Sequence, residues 1–159
     1  MTEQAHYSEN ELIDSGYRYA MSLCHHHENA EDLVQQAWFK LTRKYGGVEN
    51  KSILFRTLRN LYFDGWRRNQ IVRFEAMENT AEPAAYDAFQ NHSTQQDLEQ
   101  LLSTLSERER EAIYMNCVEG YSTQEIANQT ETPRGTVLSM LSRAKKKLSK
   151  LVEAEREIA

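Results

Sequence analysis

The sequence predicts an all-α protein of two small helical domains joined by a flexible acidic linker, the second being a four-helix unit that carries a helix-turn-helix. Three observations lead there. Only two prolines and six glycines interrupt 159 residues, and Ala, Leu, Glu, Gln, Arg and Lys abound. Apolar residues recur at steps of three and four along most of the chain. That periodicity lapses from Glu75 to Gln96, a stretch of Asn, Thr, Ala, Pro83 and His with acids at Glu75, Glu78, Glu82 and Asp87. The expected boundaries are therefore 1–74, 75–96 and 97–159.

Charge is distributed unevenly along the chain. The net charge of −5 argues against a nucleic-acid partner only if it is spread evenly. Residues 1–50 carry −4 and 51–74 carry +5, while 75–119 carry −8 and 120–159 carry +2. Two basic segments with acids between them point to two separate nucleic-acid contacts. No apolar run is long enough to span a bilayer, and the N-terminus lacks the basic-then-apolar build of a secretion signal. A cytoplasmic protein without membrane insertion is expected. Cys24 and Cys117 both fall in periodic segments and are expected to be buried free thiols.

Taken in order, residues 1–7 look frayed, and Ser8 with Glu11 offers a capping box for a first helix. Leu12, Ile13, Gly16, Tyr19, Ala20 and Leu23 should face inward, and the helix should end near Cys24-His25-His26-His27. Four successive helical residues point in four directions, so this run does not by itself enclose a metal. Imidazoles near a helix C-terminus suit the dipole. Asn29 is expected to cap a second helix, Ala30 to Lys44, with Leu33, Val34, Ala37 and Leu41 inward. Asp32, Gln35, Gln36 and Phe39 lie outward, and an aromatic among amides and an acid suits a protein partner. Gly46-Gly47 ends that helix and opens a loop to Ser52, the expected start of a basic helix. There Phe55, Tyr62, Phe63, Trp66 and Phe74 interleave with arginines and Asn60. Rings that stack on bases beside guanidinium groups that hold phosphates suit single-stranded nucleic acid. A core of rings with a solvated basic face fits the same pattern.

The second domain opens with Leu98, Leu101, Leu102 and Leu105. Ser106 and Glu109 form another capping box, ahead of a helix with Ile113, Tyr114, Cys117 and Val118 inward and Gly120 at its end. Ser122 with Glu125 caps a short helix, Asn128–Glu131 is expected to turn, and Thr132-Pro133 should start the last helix. Val137, Leu141, Ala144, Leu148 and Leu151 form its inward stripe. The other side carries Thr136, Ser139, Ser142, Arg143, Lys146 and Lys150. Short hydroxyls and cations opposite an apolar stripe fit a helix that lies in the major groove. A plain amphipathic hairpin has the same stripe.

The chain resembles the extracytoplasmic-function (ECF) group of bacterial sigma factors along nearly its whole length. The residues that carry the likeness are Ala30-Glu31-Asp32-Leu33-Val34-Gln35, Leu58-Arg59-Asn60-Leu61 and Asp64-Gly65-Trp66-Arg67-Arg68 in the first half. In the second they are Leu105-Ser106-Glu107-Arg108-Glu109-Arg110, Gly120-Tyr121-Ser122-Thr123-Gln124-Glu125-Ile126-Ala127 and Pro133-Arg134-Gly135-Thr136-Val137. The resemblance implies a protein that binds core RNA polymerase, directs it to promoters and helps melt the DNA, with no catalysis and no cofactor of its own. It implies that Asp32, Gln35, Gln36 and Phe39 dock on the clamp coiled coil of the largest polymerase subunit. The loop Gly47–Ser52 and Asn60 would capture a base flipped from the minus-ten element, while Arg59, Trp66, Arg67 and Arg68 serve binding and melting there. Arg134, Thr136, Ser139, Ser142, Arg143 and Lys146 would read the minus-thirty-five duplex. An anti-sigma factor is a further expected partner, and the free protein is expected to be a monomer.

The chain departs from the family pattern in three places. Gln36 stands where a glutamate is common, and Leu138 and Met140 stand where arginines are frequent. Fewer cations should flatten the salt dependence of DNA binding, and the two apolar side chains should widen a surface for an inhibitor. In the family the acidic linker threads the RNA channel of the polymerase. In the free chain it is expected to screen the basic helix. No domain is expected beyond Ala159. Two other readings remain at this point: a dimeric regulator binding palindromic duplex alone, and a helical enzyme using His25, His26 and His27.

Overall fold

The computed structural model describes residues 6–75 and 94–158. Most of the expected linker, with Glu78, Glu82 and Asp87, lies outside the described residues. The elements are α1 (Glu9–Cys24), α2 (His27–Tyr45), α3 (Lys51–Glu75), α4 (Thr94–Ser103), α5 (Glu107–Ile113), α6 (Thr123–Thr130) and α7 (Arg134–Ile158). No described helix is long and apolar enough to cross a membrane.

All three expected capping boxes form. The hydroxyls of Ser8, Ser106 and Ser122 accept from the backbone N–H of Glu11, Glu109 and Glu125. Each glutamate in turn accepts from the serine's N–H, at 2.7, 3.0 and 2.7 Å. Such a cap is worth about 1 kcal/mol.

Other helix starts differ from expectation. His25, at φ 51°, donates its N–H to the Met21 carbonyl and reverses the chain in two residues. Helix α2 therefore begins at His27 with His26 as its extended N-cap, and Asn29 sits inside the first turn. Asn50, not Ser52, caps α3. Its side-chain oxygen accepts from the N–H of Ser52 at 2.8 Å and of Ile53 at 3.4 Å. Helix α6 continues to Thr130, and the turn is confined to Glu131–Pro133, with Glu131 at φ 52°. Thr132 does not cap α7. Its hydroxyl donates to the Thr130 carbonyl, while the first helical N–H groups, of Thr136 and Val137, reach the Pro133 carbonyl.

Helices α1, α2 and α3 bury one apolar face each against the others. Leu12, Tyr19, Ala20 and Leu23 meet Leu33, Val34, Ala37 and Leu41, then Leu54, Phe55 and Leu58. Ile13 falls outside this set and is exposed. Gly16 lets α1 and α3 approach closely, since a Cβ there would lie 3.0 Å from Leu54 Cδ2. Phe55, expected among the base-stacking rings, is fully buried and stacks on Tyr19 with centroids 4.4 Å apart.

Helices α4 to α7 bury Leu105, Ala112, Met115, Ile126, Ala127, Val137, Met140, Leu141 and Ala144. After Ile113 the chain widens into one π turn, Tyr114–Val118, in which Glu119 N–H bonds to the carbonyl five residues back. The extra residue rotates the succeeding positions by roughly 100°. Met115 keeps the register of the buried Glu111 and Ala112 and enters the core, while Cys117 and Val118, expected inside, face solvent. Cys24 is half-buried, and burial, helped by Glu107, pushes its thiol up to about 11. Met140, expected to widen an exposed surface, is only 8% exposed, whereas Leu138 remains on the outside.

The two domains pack against each other. Helices α1 and α3 face α5, the π turn and α6, and the buried side chains of both domains form one continuous cluster. Phe55 and Tyr19 stand next to Tyr114 in this seam, with ring centroids 6.0 to 6.4 Å apart. Phe55→Ala should cost about 3–5 kcal/mol in denaturant unfolding. A loss below about 1 kcal/mol would show that the stacked pair is not part of the core.

Candidate nucleic-acid interface

The recognition face is set by the burial of its opposite side. Val137, Met140, Leu141 and Ala144 hold α7 against α5 and α6. At about 100° per residue, Thr136, Ser139, Ser142, Arg143 and Lys146 then share one arc away from that core. All five are exposed, and Arg134 is exposed at the first position of the helix. Ser139 donates its hydroxyl back to the Gly135 carbonyl at 3.0 Å. The structure thus presents five of the six residues expected to read duplex DNA on one exposed arc, with Arg134 exposed at the helix start.

Glu109, expected only as a cap, also organises this face. Its carboxylate takes the Lys147 ammonium at 2.9 Å and lies 3.9 Å from Arg143 Nε. Burial alone would raise its pKa. The Lys147 hydrogen bond, the Ser106 N–H and the charges of Lys147 and Arg143 outweigh that and hold it below the usual carboxylate value. A capping box in the sequence shows only the bond to Ser106, because the partners on α7 lie more than thirty residues away.

Along α3, Asn60 and Arg68 are exposed. Trp66 and Arg67 lie on the same helix, their side chains outside the described residues. Arg59 behaves differently from Arg68. Its Nε donates to Glu111 Oε1 at 2.9 Å, and its side chain is 17% exposed. The guanidinium lies 4.6 Å from the Phe63 centroid, with that of Arg108 at 5.6 Å from the same ring. Phe63 and Tyr62 are half-buried and pack edge to face. The base-stacking pattern read from five rings thus loses Phe55 to the core, while two others are partly covered. Phe74 lies in the part of α3 whose side chains are outside the described residues.

Glu111 is the buried member of this group, 3% exposed, and it accepts from Tyr19 Oη as well as from Arg59. Burial raises its pKa, and the Arg59 charge and the two hydrogen bonds offset only part of that. Nothing in the periodicity marked it, since a glutamate in a helix of alternating acids and arginines reads as solvated.

The outward face of α2 presents Asp32, Gln35, Gln36 and Phe39, all exposed, with Phe39 at 67%. The histidine run is dispersed. His25 is half-buried, and burial followed by the Arg110 charge lowers its pKa. His26 is exposed, and His27 Nδ1 pairs with the Tyr17 hydroxyl.

Two family models match the chain, sigma-70 region 2 over residues 14–71 and sigma-70 region 4 over residues 95–148. The chain is 27% identical over 144 residues to the ECF RNA polymerase sigma factor SigE of Mycolicibacterium smegmatis, covering 85% of this chain but only 56% of that protein. It is 26% identical over 130 residues to the RNA polymerase sigma-E factor of Streptomyces avermitilis, covering 79% of this chain and 72% of that one. Among solved structures, the sigma factor RpoE of Bartonella quintana, in complex with the anti-sigma factor NepR, matches with a TM-score of 0.72 and 30% identity. That match covers 89% of this chain and 92% of that one.

The pH dependence of Glu109 has a definite sign. Its folded pKa is below the ordinary 4.5, so its contribution is complete above that value and fades as pH falls through the lower one. Glu109→Gln should destabilise the protein by about 1–3 kcal/mol at pH 7. The gap between parent and variant melting temperatures should narrow as pH drops below 4.5. Parallel curves across the range would refute the ion-paired role.

Proposed function

Because the chain belongs to the ECF sigma factors, we propose that it is a specificity subunit of RNA polymerase, acting in the cytoplasm without catalysis. It binds core polymerase and starts transcription at chosen promoters. The observation that supports this most directly is the separation of two exposed faces, on α2 and on α7, on one helical body. The face of α2 with Asp32, Gln35, Gln36 and Phe39 docks on the clamp coiled coil of the largest polymerase subunit. Phe39 supplies the apolar centre, and the amides and acid supply hydrogen bonds and charge around it. The outer arc of α7, with Arg134, Thr136, Ser139, Ser142, Arg143 and Lys146, reads the minus-thirty-five duplex. Hydroxyls approach base edges, and cations take phosphate or guanine.

Residues 1–74, 75–96 and 97–159 serve as docking and melting domain, linker and duplex-reading domain. Asn60 receives a flipped minus-ten base, since its amide both donates to and accepts from a base edge. Arg59, Trp66, Arg67 and Arg68 hold the melted strand. An anti-sigma factor is the expected inhibitor, and the likeness to RpoE, solved with NepR, supports that partner. The free protein is monomeric.

Core polymerase with and without the chain, on a library of promoters, tests the reading. Promoter-specific transcripts should appear only with the chain. A chain that binds palindromic duplex unaided and leaves core polymerase unchanged would overturn it. Asn60→Ala should slow promoter opening roughly ten- to hundredfold, the loss of one or two base hydrogen bonds, while leaving initial docking within about twofold. Equal losses at both steps would argue against base capture. Arg143→Ala should weaken binding to the minus-thirty-five duplex by about 1–3 kcal/mol and relax preference at one position. An unchanged sequence preference would show that the groove-facing side lies elsewhere on α7.

A further inference from the structure

Several ties between the two domains fall on α3. Lys51 Nζ meets Glu119 Oε2 at 2.8 Å. The Ser52 hydroxyl donates to Gln129 Oε1, and Gln129 Nε2 donates back to the Ser52 carbonyl, both at 2.6 Å. Arg59 meets Glu111 at 2.9 Å. Lys51 and Ser52 end the segment assigned above to base capture, and Arg59 belongs to the set assigned to the melted strand. The groups facing them from the second domain are two carboxylates and an amide, the chemistry that phosphates and base edges would otherwise provide. The other two functional faces are left open. Asp32, Gln35, Gln36 and Phe39 on α2 are exposed, as is the outer arc of α7.

We propose that in the free chain the second domain acts as an internal stand-in for single-stranded DNA. Glu111 and Glu119 occupy Arg59 and Lys51, and Gln129 occupies Ser52, while the polymerase-docking face stays available. The closed chain is therefore ready to dock but not to hold a melted strand. Separation of the domains on the polymerase frees the minus-ten surface at the place where it is used. With Lys51 and Arg59 already paired, the free protein binds single-stranded nucleic acid more weakly than these cations would otherwise allow. The proposal rests on the sigma-factor reading of α3.

The test uses the full chain and a fluorescent single-stranded oligonucleotide at low salt. Glu111→Gln with Glu119→Gln removes the two carboxylates, and Glu153→Gln with Glu157→Gln, on the exposed end of α7, is the control. Each pair changes the net charge from −5 to −3. The seam pair should tighten binding roughly five- to tenfold and steepen the salt slope by about 1.4, two contacts at about 0.7 each. The control should stay within about twofold of the parent on the same scale. Small-angle scattering should show a larger radius of gyration for the seam pair alone, and affinity for core polymerase should be unchanged. If an amide buried in place of the Glu111 carboxylate prevents folding, as circular dichroism would show, Glu119→Gln with Gln129→Ala carries the same comparison with one cation freed.

Coincident oligonucleotide curves for parent, seam pair and control would overturn the masking. So would a control that gains as much as the seam pair. Altered affinity of the seam pair for core polymerase would overturn the claim that docking is open in the closed chain. A parent chain that leaves core polymerase silent at every promoter would instead sink the sigma-factor reading, a result the oligonucleotide curves do not share.

Discussion

A carboxylate taken out of water must be paired, and Glu111 finds its partners on the other domain. Tyr19 of α1 and Arg59 of α3 both donate to it, in a position that is 3% exposed. Leaving such a group buried and alone would cost several kcal/mol. The relative position of the two domains is thus tied to whether Glu111 keeps Arg59 and Tyr19. Apolar burial around Phe55, Tyr19 and Tyr114 holds the seam together without direction. The carboxylate adds a directional element, since both Tyr19 and Arg59 must point at it.

The segment from Ser106 to Glu119 is where most of these constraints meet. Glu109 closes the capping box of α5 and binds Lys147 on α7, which fixes the helix within its own domain. Two residues later, Glu111 points to the opposite side and reaches the first domain. The π turn then adds one residue before Glu119, which meets Lys51. Arg110 completes the seam by donating to the Ser22 and Leu23 carbonyls near the end of α1. Among the described residues no buried side-chain polar atom lacks a partner.

In the proposed role, the same geometry sorts the functional faces by what burial does to them. The α2 and α7 faces are the outward sides of helices whose inward sides fill the cores, so packing of the domains leaves both in solvent. The α3 face lies beside the seam, and two of its cations, Lys51 and Arg59, pair with acids across it. The large negative block between residues 75 and 119 therefore has two parts. Its later acids, Glu109, Glu111 and Glu119, are engaged in specific pairs, whereas Glu78, Glu82 and Asp87 lie outside the described residues.

The helical class, the three capping boxes, the inward stripes of α2 and α7, and the exposed face with Arg143 were determined by the sequence alone. These features depend on neighbours three or four residues apart, and the spacing of residue types records such neighbours directly. The Gly46 and Gly120 stops are local in the same sense, both at positive φ. What only the tertiary structure decided depends on distant partners. His25 and Glu131, neither of them glycine, take left-handed turns that no residue type announced. Cys117 and Val118 went to the surface and Met115 inward, because the face of this segment that packs against its neighbours is the one carrying Glu111, Ala112 and Met115. Phe55 went to the core rather than to a base because Tyr19 lay across from it. Arg59 joined Glu111, fifty-two residues away. A pairing over that separation follows from how two domains dock, and no local pattern of charge encodes it.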